Sequence, residues 1–315
     1  MGRLKTVIVA ATLAIACSAA RADPVRIGFA AESLDYAPAF AAERLGLFKK
    51  HGVEAKLIVF RGGAAAQEAM SAGAVDVIAY FAPAVALANS KGIHEKMVGT
   101  VSAGHVAWNL IVKADSPIKT LKDLDGKKVG ISAKATTSDM AALFIAEKAG
   151  VRFQEIPLGA ALVPALRSGQ VDGIVFSALI TLREIEAGHA RSLIDLTNEM
   201  PPTLANVYVA SQDMIDKRPQ ELRGALAAIY EALAHMRQNR DWTLGYLKEF
   251  ARSDNEKLNA QLYEHVIKEL SPDGRIDKAW ITNGLAFAAR AWDMPDLVKA
   301  DADAIFSNDF HPQAK

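Results

Sequence analysis

Three hydroxyls and an acid stand together at Thr136-Thr137-Ser138-Asp139, directly ahead of Met140, Leu143, Phe144 and Ala149 at helical spacing. The apolar run from Lys128 to Ser132 reads as a short strand, so the hydroxyls mark a helix start just past a strand end. The first turn of a helix carries unpaired N–H groups and a partial positive charge, and it attracts anions. Plain capping by Thr136 or Ser138 is the alternative. Arg61 follows a strand and precedes Gly62-Gly63. Its guanidinium either grips a carboxylate or sulfonate through two parallel hydrogen bonds or stands solvated in a loop. Tyr36, Tyr80, Phe81, Trp108 and Phe176 fall at predicted strand ends, where rings sandwich a flat ligand body or fill core.

Magnitudes limit what one loop does alone. Micromolar binding needs about 8 kcal/mol. A helix terminus supplies roughly 0.3–1 kcal/mol when exposed and up to ~2 when partly buried. The loop at 133–138 therefore needs a second surface that closes over the ligand.

The elements that position these groups occur twice. Val25 to Phe29, Val53 to Phe60 and Ala74 to Tyr80 read as strands separated by helices around Pro38 and after Gly62-Gly63. Val129 to Ser132, Val151 to Pro157 and Val171 to Phe176 repeat the order, with helices at 137–149 and 160–168. Gly28 and Gly130, Gly52 and Gly150, Gly73 and Gly169, and Asp76 and Asp172 are offset by 102, 98, 96 and 96 residues. That period is about one lobe, too long for a solenoid. Each β-α-β-α-β unit predicts a parallel sheet covered on both faces, with ligands beyond the C-terminal strand ends. The matched acids Asp76 and Asp172 read as buttresses, not ligands.

Trp108 to Lys113 and Asn206 to Ser211 read as strands where the chain crosses between units, a two-strand hinge near 105–113 and 203–211. A helix near 178–187 and a strand near 192–197 lie between them. From Pro219 the pattern is helical. Leu222, Leu226, Ile229 and Leu233 form one stripe, Ser253-Asp254-Asn255-Glu256 reads as a capping box before Leu258, and Trp280, Leu285 and Trp292 read as core.

Residues 1–22 read as a cleaved secretion signal: Arg3 and Lys5, the apolar run Val7 to Ala16, then Ala20-Arg21-Ala22. Lipid attachment at Cys17 is the weaker competing reading. Cys17 is the only cysteine, so a chain starting near Asp23 has no disulfide, thiolate nucleophile or Cys-based zinc site. Removing Arg3, Lys5 and Arg21 leaves 33 cations against 36 acids, a formal charge of −3, which argues against nucleic-acid binding. No later segment reads as a membrane span, since Pro83 interrupts the most apolar one, Ala79 to Ala88.

The ordered series Ile27-Gly28, Ala37-Pro38, Ala42, Gly46-Leu47-Phe48, Gly52-Val53-Glu54, Gly62-Gly63-Ala64-Ala65, Gly73 and Val75-Asp76-Val77 resembles solute-binding proteins of ABC importers of the nitrate/sulfonate/taurine type, related to the thiamine-precursor family. Ala114 to Gly130 is similar to that family's segment leading into the second lobe. The resemblance covers roughly residues 25–210. It implies an α/β, type II periplasmic-binding fold: two βαβαβ lobes, a two-strand hinge and a helical C-terminal region. Residues 23–108 with 207–315 would form one lobe and 109–206 the other. It also implies a periplasmic, monomeric protein that takes a small solute, an organic anion such as a sulfonate or carboxylate, to an inner-membrane permease, without a cofactor. The family's ligand loops fall on Glu32 to Tyr36, including Ser33 and Tyr36, Arg61 to Ala64, Tyr80-Phe81, Trp108-Asn109, Ala133 to Ser138, with Thr136, Thr137 and Ser138, Phe176-Ser177, and Asn206. This chain departs from the family at Ala133-Lys134-Ala135, where glycine beside Ser or Thr is usual, so close backbone approach to a sulfonate is harder.

An enzyme on the same fold is the main rival, acting on a small heterocycle or pyrimidine precursor. The sequence holds no G-x-S-x-G and no H-E-x-x-H, and its seven histidines are dispersed, with His105 near the hinge. A ligand-presenting sensor is the second rival.

Overall fold

The structure is a computed structural model that describes residues 23–103, 108–197, 199, 203–271 and 273–312. The leader, Cys17, His105 and Pro201-Pro202 fall outside the described residues. The chain runs β1 (Val25–Phe29), α1 (Ala37–Arg44), α2 (Leu47–Lys50), β2 (Ala55–Val59), α3 (Gly63–Ser71), β3 (Val77–Phe81), α4 (Ala82–Ser90) and β4 (Glu95–Ala103). It then repeats the theme as β5 (Asn109–Lys113), β6 (Lys128–Ile131), α5 (Thr137–Ala149), β7 (Gln154–Pro157), α6 (Leu162–Ser168), β8 (Gly173–Phe176), α7 (Ala178–Glu186) and β9 (Ala190–Asp195). It returns through β10 (Leu204–Ser211) and ends in α8 (Gln212–Lys217), α9 (Pro219–Gln238), α10 (Arg240–Phe250), α11 (Glu256–Glu269), α12 (Lys278–Ala291) and α13 (Ala302–Ile305).

Two five-stranded sheets result, ordered β2-β1-β3-β10-β4 and β7-β6-β8-β5-β9. This is the two-lobed fold expected from the repeat, with one correction. The sheets are mixed, because β10 runs antiparallel to β3 and β4, and β5 antiparallel to β8 and β9. The reason is connectivity. β4 ends at its sheet's C-terminal edge, and the chain enters the other lobe at the facing C-terminal edge. β5 must therefore start where β6 to β8 end. β9 and β10 repeat the move in reverse.

Local chemistry sets the element ends. Pro83 sits in the first turn of α4, where a missing N–H costs nothing, so the apolar run through Ala88 splits into strand and helix. Gly46 adopts φ +70 and breaks the first helix into α1 and α2. The capping-box reading shifts by two residues: Asn255 is the N-cap of α11, and its Oδ1 accepts from Leu258 N at 3.0 Å. β4 had no expectation attached to it.

The repeat glycines have a packing cause. A Cβ at Gly28 would stand 2.9 Å from Phe60, and one at Gly130 would stand 2.9 Å from Leu158 and 3.1 Å from Leu162. The first strand of each lobe needs glycine so that the chain after its neighbour can close over it. The repeat acids also act alike. Asp172 Oδ2 accepts from Lys128 N at 2.8 Å, and Asp76 Oδ2 accepts from Arg26 N at 2.8 Å. Asp76 additionally receives Arg26 Nε at 3.0 Å and Nη2 at 2.6 Å. Each acid ties the lead-in of the third strand to the first.

The lobes touch on both flanks of the crossing. Met140 of α5 is buried in the core cluster that holds α4 and α12 residues, and the Phe144 and Phe287 rings lie 6.3 Å apart. Leu179 of α7 joins the cluster around α1 and α9 to α11, and Lys257 pairs with Glu186 at 3.0 Å.

Asp172→Ala is expected to cost about 1 kcal/mol for its lost main-chain hydrogen bond, and Asp76→Ala somewhat more, about 1.5–2 kcal/mol, because it also loses the half-exposed Arg26 pair. Urea unfolding of the two variants measures this, and equal losses would show that the Arg26 pair adds nothing to the shared buttress.

Candidate functional site

The two C-terminal sheet edges bring several candidates together. Asn206 pairs with Phe81 of β3 and Ser102 of β4 at one edge, and Asn109 pairs with Phe176 of β8 and Asp195 of β9 at the other. Across the seam, Thr137 Oγ1 donates to Asn206 Oδ1 at 3.4 Å. Both residues are buried. Asn206 turns its amide nitrogen the other way, to Asp35 Oδ2 at 2.7 Å, and Ser102 Oγ donates to the same oxygen at 3.2 Å. The carboxylate, the amide and the helix-tip hydroxyl thus form one line through the crossing point.

Asp35 is half-buried by accessible surface, yet its carboxyl is enclosed enough that burial raises its pKa above the usual carboxylate range. The hydrogen bonds from Asn206 and Ser102, and the nearby His265, pull it back. A void of about 10 Å³, at the lower limit for one water, lies beside it against Tyr208 and Tyr230.

The helix tip is built from its own residues. Thr136 is the N-cap of α5 and accepts from Asp139 N at 3.4 Å, while its hydroxyl donates to Ala133 O at 2.7 Å. Ser138 is fully buried, donates to Val175 O at 2.7 Å and accepts from Ser132 N at 3.1 Å. Both its hydrogen-bonding capacities are used inside its own lobe, so capping and strand-tying account for Thr136 and Ser138, and Thr137 is the hydroxyl that crosses. Ala135 holds φ 55, a left-handed conformation that favours glycine, and Asp139 Oδ2 accepts its N–H at 2.9 Å. The glycine expected of the family is absent from the sequence, and Ala135 itself takes a left-handed conformation.

Asp139, fully buried, also reaches across. Trp292 Nε1 donates to its Oδ2 at 2.8 Å, and Lys134 pairs with its Oδ1 at 3.1 Å. Lys134 is shared with Glu155, whose carboxyl burial pushes up to about 7 and whose Oε1 is buried without a hydrogen-bond partner. Trp292 packs edge-on to Phe81 at 6.0 Å. Its placement as core therefore needs a correction: the indole N–H is a contact between lobes.

The remaining candidates scatter. Trp108 and Phe176 form a ring pair 5.5 Å apart, and Asn109 accepts from Ser192 Oγ at 2.8 Å. Ser177 is buried at the start of α7 with no hydrogen-bond partner for its hydroxyl. Ser33 and Tyr36 are buried, and the Tyr36 ring packs tilted against Phe29, centroids 5.2 Å apart, in the first lobe's core. Tyr80 lies over Gly63, where a Cβ would stand 2.7 Å from its ring. Burial, and then the charge of Glu95, pushes its hydroxyl up to about 12. Arg61 is exposed and makes no ion pair among the described residues. The expected meeting of Arg61 with the helix tip is replaced by Asn206 and Asp35. Asp35 lay inside the loop Glu32 to Tyr36 without being singled out. Its signal was a lone acid between Leu34 and Tyr36 just past a strand end.

No group of three or more His, Cys, Asp or Glu side chains suited to a metal ion occurs among the described residues. A cavity of about 680 Å³ is lined by Leu87, Met294, Pro295, Leu297 and Ile305, none of them candidates. No described helix is long and apolar enough to cross a membrane.

This arrangement of two mixed sheets facing across a double crossing is the fold of periplasmic binding proteins. The sequence profile of the NMT1/THI5-like family matches residues 33–241, and the chain belongs to that family. A protein of Brucella abortus named as a binding protein is 27% identical over 275 residues, covering 82% of this chain and 83% of the relative. The 4-amino-5-hydroxymethyl-2-methylpyrimidine phosphate synthase of Schizosaccharomyces pombe is 22% identical over 264 residues, covering 78% and 75%. Among solved structures, the periplasmic aliphatic sulphonate binding protein of Escherichia coli superposes with TM-score 0.71 at 22% identity, covering 90% of this chain and 91% of that one.

Two outcomes are expected. Trp292→Phe keeps the packing on Phe81 but removes a donor from a buried carboxylate, so it should cost roughly 1.5–3 kcal/mol in urea unfolding and widen the solute-free molecule in small-angle scattering. Glu95, buried with only Gln67 Nε2 at 2.7 Å as partner, has its carboxyl pushed up to about 7 by burial. The folded state then binds the proton more tightly than the unfolded state, so stability is highest below about 4.5 and falls as pH rises through about 7. Glu95→Gln should remove that slope and stabilise the protein by roughly 2–4 kcal/mol at pH 8, read from urea midpoints across pH.

Proposed function

We propose that this chain captures a small organic solute outside the cytoplasm by closing two lobes over it, and hands it to an inner-membrane permease of an ABC importer. The contact of Thr137 with Asn206 carries this reading, because it joins a helix tip of one lobe to a strand end of the other where both C-terminal edges face. The positive end of α5 and the Trp108–Phe176 ring pair suit an organic anion with an apolar body. The binding-protein relative and the periplasmic sulphonate-binding neighbour support capture as the task and the periplasm as its place. The protein acts as a monomer, without nucleic acid or cofactor. Ser33, Tyr36, Tyr80, Phe81, Asn109, Thr136, Ser138, Phe176 and Ser177 frame the cleft in this reading, while exposed Arg61 would join only by swinging in.

The S. pombe synthase supports a second reading, an enzyme acting on a small heterocycle. Recovery of a bound solute unchanged after prolonged incubation separates capture from turnover.

A thermal-shift screen of organic acids, ureido compounds and pyrimidines on residues 23–315 tests capture. A true solute at about a hundred times its Kd adds roughly 2.7 kcal/mol, a rise of several degrees at this size. Asn206→Ala should abolish the rise. An undiminished rise would remove Asn206 from the site.

A further inference from the structure

Among the described residues, the hydrogen bonds at the crossing point run to acceptors of Asp35 and Asn206. Asp35 Oδ2 takes hydrogen bonds from Asn206 Nδ2 at 2.7 Å and Ser102 Oγ at 3.2 Å. Both donors converge on one oxygen, and an ionised carboxylate has room for more. Its acceptance fixes the direction of the line through the seam. Asn206 must give its amide hydrogens to Asp35, so its carbonyl faces Thr137. Thr137 then spends its only hydrogen on Asn206, and what its hydroxyl keeps for a third group is acceptance. Asp35 is half-buried as a residue, and its carboxylate is largely desolvated where it meets Asn206 and Ser102. Arg61, the cation expected to grip a ligand's acid group, is exposed and makes no ion pair among the described residues. His265 of α11 is near enough to act on the charge of Asp35 from the first lobe's side.

We propose that Asp35 is a recognition residue for a donor nitrogen on the solute, an ammonium, amidine or amide N–H, and that it turns away solutes whose only polar group is an anion. This rests on the capture reading and deepens it. A plain sulfonate would bring its charge against an enclosed carboxylate and find acceptors at Thr137, a repulsive pairing that the α5 terminus alone does not offset. A solute with an N–H satisfies Asp35 and Thr137 while its acid or carbonyl end takes the N–H groups of α5.

The test uses matched pairs: acetate against glycine, butyrate against γ-aminobutyrate, and benzoate against para-amidinobenzoate, read by thermal shift and calorimetry on wild type and Asp35→Asn. The nitrogen-bearing member of at least one pair should bind wild type more tightly, and Asp35→Asn should weaken it roughly tenfold or more while its plain partner gains. Circular dichroism and the solute-free urea midpoint establish that the variant folds. If it does not, Thr137→Val, which removes an acceptor and leaves Asp35 in place, should reduce the preference without abolishing it, and complete loss with Asp35 intact overturns the proposal. Tighter binding of the plain acids, unaltered by Asp35→Asn, overturns the proposal and leaves capture standing. Binding of no compound of either kind overturns the proposal, and an equal silence in the broader solute screen removes capture with it.

Discussion

One side-chain amide has to satisfy two lobes. Asn206 stands at the first residues of the strand that brings the chain back, so its neighbours come from three directions: the loop after β1, the end of β4 and the tip of α5. An amide suits the place because it donates on one side and accepts on the other. An aspartate there would repel Asp35, and an alanine would leave Asp35 and Thr137 buried without each other's relay. Buried polar groups that lose a partner are costly, so the amide also couples the position of one lobe to the other.

The antiparallel strands have the same origin as the amide's position. A chain that leaves one sheet at its C-terminal edge and enters the next at the facing edge must reverse direction, and it does so twice. The strand ends that flank both crossings therefore lie at the C-terminal edges, near the N-termini of α5 and α7. The ends of α5 and α7 on one side, and the edge residues Phe81, Ser102 and Asn206 on the other, meet because the connection is made there. On the flanks, α5 meets α12 and α7 meets α11, which gives the C-terminal helices a task beyond thickening the first lobe.

Much of this was legible in the residues. Gly28 and Gly130 announced the repeat because each stands where side chains from the next strand's end close over a backbone, and Asp76 and Asp172 announced it because each accepts a main-chain N–H from the first strand. The helix start at Thr136 was equally plain, since its cap is local. What stayed hidden depends on partners distant in sequence. Asp35 meets Asn206, 171 residues on, and Asp139 meets Trp292, 153 residues on. Neither pairing leaves a periodic trace. Trp292 looked like core because its spacing with Leu285 is helical, and its ring does pack. The polar edge of an indole reveals its purpose only when an acceptor is placed beside it. Arg61 illustrates the converse: a guanidinium after a strand end is a good anion ligand in principle, and here it is exposed, since nothing local decides whether it turns inward.

The two interlobe hydrogen bonds differ in what they ask of a solute. Trp292 to Asp139 joins groups that are complete without a ligand, since Asp139 already holds Lys134 and the Ala135 N–H. It favours the closed molecule whatever lies in the cleft. The Asp35–Asn206–Thr137 line is different, because it runs through a half-buried acid that takes Asn206 and Ser102 and includes a contact as long as 3.4 Å. The first contact therefore bears on how easily the lobes meet, and the second is the one that the proposed reading has a solute engage. Affinity near 8 kcal/mol cannot come from a helix end worth ~2 at most. The rest has to come from closure itself, from apolar burial and from hydrogen bonds that groups of both lobes complete together.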